Sequence, residues 1–170
     1  AVCETIFSMG YALCPEYAAL FRGDNGTNAL VRGEMLWAVD YYADNTESYG
    51  GTSYLLSASL ASTDITEASR PNGQRNGWAG LRVPYEYVSM YFNVSGQDYE
   101  KGTYDVADKR GEVFYIKGRS ESMDGALYSF MNGWSCLKFN NIPYGMTDQE
   151  YLPQSLLLSY SNVDFPMIRL

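Results

Sequence analysis

At 170 residues with 46% hydrophobic and 19% charged side chains, the chain has the composition of one globular domain or a large part of one. A net charge of −8 with no basic cluster argues against nucleic acid and anionic lipid as partners, since phosphate recognition needs stripes of Lys and Arg. The absence of histidine removes Ser-His-Asp and Cys-His catalysis and histidine metal sites, and no cofactor is implied.

Residues 1–9 carry Val2, Ile6 and Met9 at helical spacing, with Gly10 as the residue that ends the helix. Tyr11–Cys14 reads as an extended link, and Pro15–Phe21 as one or two helical turns opened by proline. Arg22–Asn28 is a turn cluster; its Asp24, Asn25 and Asn28 lack the spacing and closing glutamate of a calcium loop. Glu34–Tyr41 is a buried-strand run that places Trp37 in the core. From Tyr41 to Asn76 the chain is polar and irregular, a loop region of the length that usually serves function.

Pro84 opens a helix through Phe92, with Val88, Tyr91 and Phe92 at i, i+3, i+4 and Tyr85, Tyr87 and Tyr91 expected on its packing face. Asn93–Ala107 reads as a polar connection. Glu112–Lys117 and Trp134–Phe139 are strand patterns that could pair as a small sheet, and Asn140–Gln154 is expected to be loop. Asp164 and Pro166 predict a helix beginning at the C-terminal end. The chain opens inside a helical pattern and closes where a helix starts, so it reads as one partial domain, residues 1–170, of a longer protein. No apolar run reaches the roughly 18–20 residues of a membrane-spanning helix. The three cysteines, Cys3, Cys14 and Cys136, contain no CxxC pair and read as buried free thiols, with a Cys3–Cys14 bridge as the alternative.

The binding chemistry concentrates between Tyr49 and Trp78. Tyr49, Tyr54 and Trp78 are candidates for stacking on an apolar ligand face, and Asn72, Gln74, Arg75 and Asn76 are candidates for pairing with its polar groups. Gly77 and Gly80 flank the indole, so Trp78 is either a presented ring or a loop anchor packed in the core. A glycoside hydrolase needs two carboxylates about 5–10 Å apart. No motif singles out such a pair among the 20 Asp and Glu residues. A structural or protein-interaction piece displaying tyrosines is the remaining alternative.

Six passages in order resemble the SusD/RagB family of outer-membrane nutrient-binding lipoproteins. They are Met9–Leu13 with Glu16–Phe21 and Asp24-Asn25; Glu34–Val39; Gly77-Trp78 with Arg82–Pro84 and Tyr87–Phe92; Asp108–Arg110; Gly133–Phe139; and Asp164–Leu170. The resemblance implies a mainly α fold of tetratricopeptide-type helices with a large irregular loop region and a small β element. It also implies capture of oligosaccharide, less often peptide, at the cell surface of the outer membrane, without catalysis. A SusC-type TonB-dependent transporter is the implied partner, and the implied lipid anchor lies N-terminal to this stretch, Cys3 not being its site.

Overall fold

The computed structural model describes residues 1–40, 52–124, 128–155 and 165–169. Helix α1 (Val2–Ser8) ends as its spacing predicts: Gly10 takes φ +95°, and its N–H donates to the Phe7 carbonyl at 3.0 Å. The proline-led stretch forms a 3₁₀ turn, Tyr17–Phe21, which buries Ala19, Leu20 and Phe21. Helix α2 (Ala29–Arg32) follows; the Asn28 side chain caps it by accepting the Leu30 N–H at 3.0 Å. Val31 completes the first core with this turn, and Phe139 meets Phe21 edge-on at 5.4 Å.

Strand β1 (Met35–Val39) lies where the apolar run predicts a strand. Trp37 is not core, however: it is 57% exposed. Helix α3 (Thr52–Ala58) occupies part of the stretch expected to be irregular, and Leu56, Ala58 and Leu60 at its C-terminal end are buried.

Helix α4 (Tyr85–Phe92) follows Pro84, whose φ of −67° suits a helix start, and stops at Asn93 in the left-handed region. Val88 is fully buried, and Tyr85 and Phe92 pack beside it. Tyr87 and Tyr91 depart from the expected packing face: both are exposed, with their rings paired at 4.6 Å on the outer surface. Two turns of helix have room for one inward ridge, and Val88 occupies it.

The expected polar connection is instead an antiparallel hairpin of β2 (Val94–Asp98) and β3 (Thr103–Val106). Its turn closes where the Gly102 N–H donates to the Asp98 carbonyl at 2.7 Å. A further 3₁₀ turn, Lys109–Val113, is capped by Asp108, whose carboxyl Arg110 holds down at about 2. Strands β4 (Phe114–Tyr115) and β5 (Ser135–Cys136) then pair antiparallel as the sequence suggests, over two residues each.

Trp134, just before β5, centres the second core. It is fully buried among Tyr104 (5.1 Å), Tyr85 (5.5 Å), Phe114 (6.1 Å) and Tyr99 (6.3 Å). Its indole N–H donates to the Tyr99 hydroxyl at 3.2 Å, and its backbone exchanges two hydrogen bonds with Val83, fixing the entry to α4. The Tyr104 hydroxyl accepts the Phe114 N–H at 3.0 Å and faces the Phe114 carbonyl, and burial pushes its pKa up.

Helix α5 (Asp148–Ser155) replaces part of the expected 140–154 loop. A reciprocal cap starts it: the Thr147 N–H donates to Glu150 Oε2 at 2.8 Å, and the Glu150 N–H donates to Thr147 Oγ1 at 3.3 Å. The C-terminal segment is strand β6 (Phe165–Arg169), antiparallel to β1, not the start of a helix. An extended backbone is open to Pro166, whose φ fits either state, and pairing supplies the hydrogen bonds that a five-residue helix would leave unmade.

The fold class is therefore mixed α/β. No described helix exceeds eight residues, and the described strands form three two-stranded antiparallel sheets. Tetratricopeptide-type helix pairs are absent among the described residues. Glycine and proline divide the apolar runs into pieces too short for paired helices, and aromatic burial is gathered in two local clusters, around Phe21 and around Trp134. All three cysteines are free; Cys3 is exposed rather than buried, and burial raises the thiol pKa of Cys14 and Cys136. No described helix is long and apolar enough to cross a membrane.

Candidate functional site

The backbone of residues 72–81 closes the C-terminal end of α3. A helix leaves its last carbonyls without partners, and this loop supplies them. The Trp78 N–H donates to the Ser57 carbonyl (2.7 Å), the Leu81 N–H to Ala58 (3.0 Å) and the Ala79 N–H to Leu60 (2.8 Å). Trp78 also bridges Ala61 in antiparallel register. Gly77 makes this approach possible, because a Cβ there would lie 2.3 Å from the Leu60 carbonyl oxygen. Ala79 and Gly80 then take φ of +60° and +115°. A left-handed alanine costs on the order of 1 kcal/mol, which the surrounding bonds hold in place. Gly77→Ala is expected to destabilise the chain by about 1–3 kcal/mol, read as a lowered urea midpoint, since only backbone could move aside.

The loop displays Trp78 at 46% exposure beside Tyr54 of α3 at 48%, with ring centroids 6.4 Å apart and planes 51° apart. Arg75 and Asn76 are exposed on the turn that leads into the indole. Asn72 has a different place from the one its residue type suggests. It is fully buried; its amide donates to the Leu56 carbonyl at 2.8 Å and its Oδ1 accepts the Gln74 N–H at 3.1 Å. Asn72 thus braces the loop from beneath, and Gln74 is buried with it. Tyr49 lies outside the described residues.

A buried ion pair anchors the strand partner of the indole. The Asp64 carboxylate accepts the Ala61 N–H at 2.7 Å and pairs with Arg119, both side chains being almost wholly enclosed. Arg119 also donates to the Phe130 carbonyl and stands 5.8 Å from the Tyr115 ring centroid. Sequence reasoning passed over both members, which lie 55 residues apart. Among the described residues no cluster of three or more His, Cys, Asp or Glu could hold a metal ion.

Over 88 residues the chain is 27% identical to starch-binding protein SusD of Bacteroides thetaiotaomicron. The chain is similar to SusD. The matched stretch is 52% of this chain and 15% of SusD, so the chain spans a small part of that protein's length. No protein-family profile matches the chain. The likeness to SusD agrees in kind with the six passages of the sequence, while the mixed α/β architecture departs from the mainly α fold they imply.

Proposed function

We propose that the Tyr54–Trp78 surface binds oligosaccharide without catalysis, as the sugar-contacting face of a cell-surface glycan-binding protein. The carrying observation is the pair of half-exposed rings, 6.4 Å apart, on a backbone locked to the end of α3. Sugar rings present C–H groups that pack on aromatic faces, while exposed Arg75 and Asn76 can satisfy their hydroxyls. Ring planes inclined by 51° suit a curved chain better than a flat one. Together with the name of SusD, this makes an α-linked glucan the first ligand to test. In this reading the longer protein sits on the outer membrane through an N-terminal lipid anchor and hands its ligand to a SusC-type TonB-dependent transporter.

Calorimetric titration with maltoheptaose tests the reading. Trp78→Ala is expected to weaken binding about tenfold or more, equivalent to about 1.4 kcal/mol, with an unchanged melting temperature because the ring is half in solvent. Equal binding by both forms would overturn it, and release of shorter sugars would restore the hydrolase alternative. The outer face of α4 favours a second role: Tyr87, Met90 and Tyr91 are all exposed there, as in a protein-interaction surface. Tyr91→Ala is expected to weaken capture of the transporter and leave maltoheptaose binding intact.

A further inference from the structure

A cleft of about 680 Å³ opens between residues 63–71, 112–118 and 137–148, and neither Tyr54 nor Trp78 lines it. Its volume falls in the range of small-molecule sites, roughly 300–1,000 Å³. Arg22 stands in its wall on a fixed backbone. The Arg22 N–H donates to the Ala19 carbonyl (3.3 Å), the Asn140 N–H to the Phe21 carbonyl (3.0 Å) and the Asn25 N–H to the Arg22 carbonyl (3.0 Å). Next to it, Gly23 lets the two segments touch, since a Cβ there would lie 2.0 Å from the Asn141 carbonyl oxygen.

The Arg22 guanidinium has no hydrogen bond or ion pair with a described residue, and burial lowers its pKa. Asp24, the acid that acts on it electrostatically, is engaged elsewhere: one carboxylate oxygen accepts the Tyr144 N–H at 3.0 Å and the other the Asn28 amide at 2.9 Å. A half-buried guanidinium without a partner among the described residues is a costly arrangement that an anion would relieve with a two-pronged, charge-assisted contact. Lys117 adds a second cation to the lining.

Of the acids of the lining, Asp64 is paired with Arg119, while Asp148, which accepts the Ser69 hydroxyl at 2.8 Å, and Glu112 at the exposed rim keep their charges and match Arg22 and Lys117 in number. The lining also holds Tyr115 and the hydroxyl of Thr63, while the ring of Phe114, its neighbour on β4, packs on the other side against Trp134. A tyrosine ring, a threonine hydroxyl and a guanidinium with no partner among the described residues match a single sugar ring that carries a carboxylate.

We propose that this cleft is a second subsite, selective for a uronic acid residue, with Arg22 binding its carboxylate. The inference rests on the glycan reading for its choice of ligand and goes beyond it in site and charge. The test is calorimetry of the full chain with D-glucuronate and D-glucose, which differ only in oxidation of the terminal carbon. Glucuronate is expected to bind about tenfold or more tighter than glucose, and Arg22→Gln to remove that preference. Arg22→Lys is expected to restore part of it, since a point charge replaces the fork.

Should Arg22→Gln fail to fold, wild-type protein alone still decides the matter. Glucuronate affinity is expected to fall as salt rises, while glucose affinity stays constant. Equal affinity for the two sugars, equal affinity for glucuronate and acetate, or displacement of glucuronate by saturating maltoheptaose would each overturn the proposal. Failure of maltoheptaose to bind at all would count against the Tyr54–Trp78 platform and leave the glucuronate result standing.

Discussion

Replacing Trp134 by alanine is expected to destabilise the protein by about 3–5 kcal/mol, the usual cost of truncating a buried Trp to Ala. The side chain is fully buried and touches four other rings, so its removal leaves a cavity that rigid aromatic neighbours cannot close. It would also strip the Tyr99 hydroxyl of its indole donor. Against a total stability of roughly 5–15 kcal/mol for an ordinary domain, such a loss consumes much of what there is. Urea unfolding followed by far-UV circular dichroism measures it. Trp134→Phe retains a ring and is expected to cost less than the alanine variant. A midpoint unmoved by Trp134→Ala would mean that this cluster is not the core.

The second large effect belongs to the buried ion pair. Asp64→Ala is expected to cost about 3–5 kcal/mol, because the Arg119 guanidinium stays enclosed without its counter-charge. The Ala61 N–H loses its acceptor in the same change, so the segment that pairs with Trp78 loosens as well. Asp64→Asn keeps an acceptor for both donors and is expected to fall between the alanine variant and wild type. Combining Asp64→Leu with Arg119→Met removes both charges and is expected to recover most of the loss. If the single and double variants unfold at the same urea concentration, the pair contributes nothing through its charges.

How far the fold could be read in advance depended on whether its signals were local. Gly10 and Pro84 announce one helix end and one helix start, and each acts within its own turn. The β4–β5 pairing was legible from two β-rich runs. Thr147 and Glu150 carry a capping-box spacing, a local signal for the start of α5. Tyr104 and Val106 alternate with polar residues after Gly102, a hairpin signal hidden by the polar run of β2. The pairing of β1 with β6 was not legible, since Pro166 serves a helix start and an extended strand equally well.

The site divides in the same way. Trp78 drew notice through its flanking glycines, but its meeting with Tyr54 depends on a loop folding back on α3, a helix that the polar composition concealed. The burial of Asn72 follows from that same fold-back, because the α3 carbonyls need donors that only the loop can bring. Trp37 shows the converse: an apolar neighbourhood in sequence does not bury a side chain where pairing between β1 and β6 slips on either side of it.

The lacing of residues 78–81 to α3 has a consequence for motion. The amides of Trp78 and Leu81 depend on acceptors in the last turn of that helix, and that of Ala79 on Leu60 just beyond it, so none can meet solvent unless the helix terminus or the loop lets go. Hydrogen–deuterium exchange at these three positions should therefore occur in one shared opening event, at a common rate set by that event and not by the mobility of a surface loop.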